Sequence, residues 1–225
     1  MCFSSEASLA AFIIGTTACL YLLSQKHYLY SVFGFSIVII QLWEFLAHQS
    51  IKNKKPYLNH LSSKLILVTV FLQPIIYVVA LNLFPPNNSF PLFKNLFYLS
   101  LLLLVVYFLN FIFYYQSLSK KKTLNVSFLN KCHRVCRLRW NFFINQTISG
   151  FIFIILYLLI FALNMFFYSF NPVINITNLA LVLLLLISLL FIYFQDKIKK
   201  NSLIISSFGS LWCFLAVCYP LLLCL

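Results

Sequence analysis

Residues 28–47 read YLYSVFGFSIVIIQLWEFLA and contain a single charged side chain, Glu44. About 20 apolar residues in a helix cross the hydrocarbon core of a bilayer, so this stretch predicts a membrane span. A charged side chain near the bilayer centre costs about 2.5–3.5 kcal/mol, and such residues usually face the interior of a helix bundle. Glu44 therefore indicates both a class of protein and a candidate functional position.

The rest of the chain is equally apolar. Of its 225 residues 63% are hydrophobic and 8% are charged, and the mean hydropathy is +0.97. These values exclude a soluble domain. The apolar runs predict an all-α polytopic membrane bundle of seven transmembrane helices, in one integral membrane domain covering residues 1–225. The predicted spans are 6–24, 28–47, 61–84, 92–116, 142–164, 176–194 and 203–225.

The net charge of +13 indicates a topology. The loops after the second, fourth and sixth predicted spans carry nearly all the Lys and Arg residues, whereas the opposite side has only Lys26 and Lys94. The positive-inside rule places the N-terminus in the cytoplasm and the C-terminus outside. Basic loops at a membrane surface predict anionic lipid headgroups as partners, and not nucleic acid. Frequent Phe, Ile, Asn and Lys favours a bacterial inner membrane.

Local patterns predict helix packing and a helix start. Ala11, Gly15 and Ala18 form a face of small residues on the first span, which lets a neighbouring helix approach closely. Either Ser4 or Ser5 is expected to cap this helix, because a hydroxyl there can accept a hydrogen bond from a free backbone N–H.

The segment between the fourth and fifth predicted spans has an amphipathic pattern. Its apolar side chains share one arc of a helix over residues 126–139: Phe128, Leu129, Cys132, Val135 and Cys136. Lys131, Arg134 and Arg137 lie around the other side. This pattern predicts a short helix in the membrane interface.

A polar group in the second and third spans predicts a ligand site. Gln41, Glu44 and His48 fall on one helix face, since they are three and four residues apart. Gln73 lies in the middle of the third span and precedes Pro74, which lacks a backbone donor. We expect Gln41, Glu44, His48 and Gln73 to bind a cation, a proton or a small polar ligand. The alternative is hydrogen bonding between helices without a ligand.

A second group predicts a metal site at the cytoplasmic face. The candidate ligands are Cys2, His60, Cys132, His133 and Cys136. Thiolate and imidazole are ligands that Zn²⁺ and Cu⁺ accept, and a haem is a further cofactor for such a set. The spacing Cys132-x-x-x-Cys136 is within the range of zinc motifs, but the second ligand pair that usually follows is missing, and the sequence requires no cofactor.

The opening residues, Met1-Cys2-Phe3-Ser4-Ser5-Glu6-Ala7-Ser8, carry a resemblance. They resemble an uncharacterised family of small multi-spanning membrane proteins that begin Met-Cys-Phe/Trp-Ser-x-x-Ala-Ser. The Gln41-Leu42-Trp43-Glu44 motif looks like the Gln-x-x-Glu of that family's second helix, although Phe45 replaces a frequent Gly. The resemblance implies that Cys2, Ser4, Gln41 and Glu44 are worth testing together, and it implies no activity.

Three functions stay open at this stage. The first is a transporter or ligand-binding membrane protein with its site in the cytoplasmic half of the bundle. The second is a membrane-embedded enzyme that depends on a metal or haem. The third is a membrane scaffold without catalysis. The sequence motifs of soluble hydrolases, nucleotide-binding enzymes and zinc proteases do not occur in this chain.

Overall fold

The computed structural model describes residues 4–84, 92–120, 124–128, 138–140, 149–150, 152–153 and 155–160. Four long helices are α1 (Ser5–Ser24), α2 (Tyr28–Lys52), α3 (Pro56–Leu83) and α4 (Leu92–Lys120), and two strands are β1 (Val126–Phe128) and β2 (Leu138–Trp140). Residues 149–150, 152–153 and 155–160 are also helical, and we call them the fifth segment. The predicted sixth and seventh spans lie outside the described residues.

Helices α1 to α4 match the first four predicted spans. Each is long and apolar enough to cross a bilayer, α4 over Tyr98–Lys120. This part of the chain is therefore an integral membrane protein, and the all-α class holds for its spans. Helices α2 and α3 extend beyond their apolar runs, to Lys52 and from Pro56. Pro56 suits a first helical position, because its missing N–H would have no partner there.

Short connections make α1, α2 and α3 antiparallel neighbours. Helix α1 begins with the predicted cap, since the Ala7 N–H donates to Ser4 Oγ at 3.1 Å. Lys26 and Lys54 have φ of 63° and 53°, and each follows the end of a helix. Backbone bonds close both turns: the His27 N–H donates to the Leu22 carbonyl and the Lys55 N–H to the Ser50 carbonyl. Such left-handed turns reverse the chain within a few residues.

The small residues on α1 pack against α2, as predicted. Ala11, Gly15 and Ala18 are all buried. Ser31 Oγ on α2 donates to the Cys19 carbonyl on α1 at 2.8 Å. The close contact allows this hydrogen bond, which fixes the register of the two helices.

Aromatic rings fill the space between α3, α4 and the fifth segment. The Phe71 ring lies 5.3 Å from the Tyr107 ring and 3.9 Å from the Phe111 ring, measured between centroids, and both pairs are stacked. The Phe153 ring stacks on Tyr107 at 4.9 Å and on Tyr114 at 5.4 Å. We call these five residues the aromatic stack. It joins helices whose backbones are already hydrogen-bonded internally, so side-chain packing holds them together.

The prediction of an interfacial helix over residues 126–139 is wrong at both ends of that range. Strands β1 and β2 pair antiparallel, with Val126 opposite Trp140 and Phe128 opposite Leu138. The Asn59 side chain holds the free edge of β1: its Nδ2 donates to the Val126 carbonyl at 2.8 Å, and its Oδ1 accepts from the Val126 N–H at 3.0 Å. These bonds satisfy backbone groups that a helix would have satisfied internally. Residues 129–137 lie outside the described residues.

Candidate functional site

The α2 face predicted from the sequence is buried. Gln41 and Glu44 have no exposed surface, and His48 is 5% exposed. Helix α2 lies between α1 and α3, so this face is directed into the bundle, whereas Val32 and Phe35 lie on an exposed face of the same helix. We call Gln41, Glu44 and His48 the α2 triad. The helical spacing alone gave this orientation correctly.

The α2 triad lies in the half of the bundle that ends in basic residues. Lys52, Lys54 and Lys55 follow it at the end of α2 and in the next turn, and we call this end of the bundle the basic end. Glu44 lies about two helical turns from Lys52 along α2. Glu44 is enclosed by protein at this depth and has no exposed surface.

Buried serines lie in the same half of the bundle as the α2 triad, and the sequence analysis did not select them. There are four among the described residues: Ser8, Ser50, Ser62 and Ser63, each at most 1% exposed. Ser50 Oγ donates to the Ala47 carbonyl and Ser62 Oγ to the Asn59 carbonyl, both within their own helices. Their oxygen lone pairs remain as acceptors. This half of the interior is therefore richer in oxygen ligands than the sequence motif alone suggested.

The α2–α3 contact beside the triad is fixed by a side-chain hydrogen bond. Trp43 Nε1 donates to Thr69 Oγ1 at 3.1 Å. Because Trp43 lies between Gln41 and Glu44 in the chain, this bond limits the rotation of α2 about its axis at the level of the triad. The α2 side of a ligand site there would be held in a fixed orientation before the ligand binds.

Gln73 is buried, and both ends of its amide group are hydrogen-bonded. Its Nε2 donates to the Ser36 carbonyl at 3.1 Å, and its Oε1 accepts from the Tyr157 hydroxyl at 2.6 Å. Ser36 lies about two turns of α2 away from Glu44, farther from the basic end. We call Ser36, Gln73 and Tyr157 the Gln73 cluster.

Tyr107 was also missed, and it contacts the same fifth segment that carries Tyr157. Its hydroxyl is buried and has no hydrogen-bond partner among the described residues, and its ring stacks on Phe153 at 4.9 Å. Neither tyrosine stands out in the sequence, since each lies in a long apolar run and 13 tyrosines occur in the chain. Only the packing of the fifth segment against α3 brings the Tyr157 hydroxyl to Gln73.

The two tyrosines provide a matched test of the Gln73 cluster. We expect Tyr157→Phe to lower the free energy of unfolding by about 0.6–1.7 kcal/mol, the range for hydrogen bonds between membrane helices. Tyr107→Phe removes a hydroxyl without a described partner, so it should leave stability unchanged or raise it slightly. Titration with sodium dodecyl sulfate, followed by circular dichroism, would compare both variants with wild type. Equal losses of unfolding free energy in the two variants would show that the hydrogen bond from Tyr157 to Gln73 does not stabilise the protein.

The predicted metal ligands are described only in part. No cluster of three His, Cys, Asp or Glu side chains that could hold a metal occurs among the described residues. Cys2, Cys132, His133 and Cys136 lie outside them. His60 Nδ1 is 3.0 Å from the Leu124 carbonyl oxygen. The metal site stays a prediction.

Comparisons with protein-family models, with curated proteins and with solved structures find no match to this chain. The resemblance of the opening residues to the family of small multi-spanning membrane proteins likewise stays a prediction. The class that the fold defines is an integral membrane protein with a buried carboxylate. Any closer assignment depends on the chemistry of the site.

Proposed function

We propose that this protein binds a small cation or polar ligand at the α2 triad and carries it across the membrane. The observation behind the proposal is the complete burial of Glu44 within a membrane-spanning helix. An ionised side chain enclosed in this way is costly unless other groups compensate its charge, and carboxylates inside membrane proteins commonly mark ion or proton pathways.

The three side chains of the triad suit a cation or a proton. Glu44 supplies carboxylate oxygens, Gln41 an amide oxygen and His48 an imidazole nitrogen. Carboxylate and amide oxygens are preferred by hard cations, and an imidazole beside a carboxylate can take up or release a proton. The buried serine hydroxyls in the same half of the bundle are further neutral oxygen acceptors.

Gln73 has a different role in this proposal. Its amide group already donates to α2 and accepts from the fifth segment. A ligand could use the same groups only by displacing these bonds, each of which links two helices. We therefore assign Gln73 to helix packing and the α2 triad to ligand binding.

The proposal predicts that Glu44→Gln abolishes ion movement without unfolding the protein. The matched control is Glu6→Gln, which removes the same charge from an exposed side chain at the start of α1. Proton, Na⁺ and K⁺ fluxes would be measured with ion-sensitive dyes in liposomes containing wild type or either variant. We expect flux in wild type and in Glu6→Gln, and none in Glu44→Gln, because the amide carries no charge and takes up no proton.

Unchanged fluxes in Glu44→Gln would contradict the proposal. If the same variant also unfolded more easily, Glu44 would be a hydrogen-bonding strut, as in the scaffold interpretation. Size-exclusion chromatography of each purified variant in mild detergent would separate loss of folding from loss of function.

A further inference from the structure

A polar cavity lies at the basic end, apart from the α2 triad. Its volume is about 600 Å³, and it is formed between the first turns of α3, the last turns of α4 and strand β1. Its polar lining residues are Asn59, His60, Lys64, Ser119, Asn125 and Ser127. Cavities of this volume are typical of sites for small ligands.

The charged lining of the cavity is basic. Lys64 and His60 both line it, and neither Glu6 nor Glu44, the acidic residues of the described part of the chain, does so. Lys64 is half-buried and lies about two turns inside α3, and its side chain lines the cavity. A cation held at such a position attracts an anion and repels a metal ion.

His60 lines the cavity beside Lys64, and a hydrogen bond holds its ring. Its Nδ1 lies 3.0 Å from the Leu124 carbonyl oxygen. A carbonyl oxygen only accepts, so Nδ1 carries the hydrogen of this bond. The bond fixes the plane of the ring and links α3 to the residues before β1.

Strand β1 builds the opposite wall of the cavity. The paired hydrogen bonds between the Asn59 side chain and the Val126 backbone fix the strand against α3. The hydroxyl of Ser127 and the amide of Asn125 thereby line the same space as Lys64. These are neutral donors of the kind that supplement a cation around a phosphate group.

The remaining lining is apolar and suits an ester group. Tyr115, Leu118 and Leu124 lie in the same cavity as the basic side chains. The cavity is at the end of membrane-spanning helices, where phospholipid headgroups lie. Free phosphate would use only the polar groups, whereas the phosphate and glycerol of a lipid would use both parts of the lining.

We propose that this cavity is a binding site for a phosphate group, with Lys64 as its cationic ligand. The shared chemistry is a phosphate mono- or diester, and the two sources are the headgroup of an anionic phospholipid and a soluble phosphate. The site is independent of the α2 triad, so its existence does not depend on ion transport.

The test measures the melting temperature of the purified full-length protein in mild detergent. The added probes are phosphatidylglycerol, phosphatidylcholine and inorganic phosphate, the last compared with chloride at equal ionic strength. Wild type, Lys64→Gln and Lys52→Gln would be compared. Lys52 is the matched control, because it is an exposed lysine at the same end that does not line the cavity.

We expect phosphatidylglycerol to raise the melting temperature of wild type more than phosphatidylcholine does. Lys64→Gln should lose at least half of that difference, and Lys52→Gln should keep it. A shift with inorganic phosphate would identify soluble phosphate as a sufficient ligand, and a shift with the lipid alone would identify the headgroup. Either result supports the site.

Two outcomes would overturn the proposal. One is a wild-type protein whose melting temperature responds equally to all the probes. The other is an equal loss in Lys64→Gln and Lys52→Gln, which would show general attraction between basic residues and anionic lipid. If Lys64→Gln failed to fold, Lys64→Met and Lys64→Arg would replace it, with the difference reduced in the first and retained in the second.

Discussion

Replacing Phe71 by Ala should lower the free energy of unfolding by about 3 kcal/mol. Phe71 is 6% exposed and stacks on both Tyr107 and Phe111 of α4. Buried Phe→Ala changes typically cost about 3–5 kcal/mol, partly from transfer of the ring and partly from the cavity left behind. Lipid tails are as apolar as the protein interior, so the transfer part is smaller here and the lower end applies.

The control for Phe71→Ala on α3 is a Phe→Ala change at an exposed position of α4. Phe113 is 65% exposed, so Phe113→Ala removes the same ring from a lipid-facing position and should change stability little. Both variants would be unfolded with sodium dodecyl sulfate and followed by circular dichroism. Equal costs would contradict the assignment of the aromatic stack as the contact that holds α4 against α3.

Gly150→Ala should cost about 1–3 kcal/mol, the range for overpacking a filled interior. A Cβ atom added at Gly150 would lie 2.8 Å from Tyr114 Cε2, closer than carbon atoms approach without a shift. The Tyr114 ring is 1% exposed and stacks on Phe153, so it has little room to move. The absence of a side chain at Gly150 thus allows the fifth segment to approach α4.

A double variant tests this cause directly. Tyr114→Leu removes the ring that the new methyl group would meet, at its own cost in stability. Gly150→Ala should therefore cost less in the Tyr114→Leu background than in wild type, because contacting residues are not additive. The same sodium dodecyl sulfate titration gives all four free energies. An identical cost in both backgrounds would mean that Gly150 matters for its backbone and not for space.

The α2 triad could be predicted from the sequence because its arrangement depends only on residues that are close together in the chain. The positions of Gln41, Glu44 and His48 on one face follow from the helical period, and the apolar run fixes the helix in a membrane. Since a charged group avoids lipid, its burial also follows. The small face of α1 is similar: Ala11, Gly15 and Ala18 are neighbours on a helix whatever they pack against.

The pairing of β1 with β2 shows where prediction from the local sequence pattern failed. Apolar and basic residues over 126–139 fit a helical arc, and short segments of this kind also fit paired strands. The choice depends on Asn59, which is 67 residues from Val126 in the chain and supplies both hydrogen bonds to its backbone. The sequence of residues 126–139 alone does not indicate this contact with Asn59.

The sequence by itself determined the first four membrane helices, the buried face of α2 and the capped start of α1, because composition, helical period and a neighbouring hydroxyl act over a few residues. Only the tertiary structure decided the partners of Gln73, the contact of Gly150 with Tyr114 and the polar cavity at the basic end. Tyr157 reaches Gln73 across 84 residues of chain. Such contacts depend on which helices become neighbours, and the free energy of packing between helices sets that arrangement.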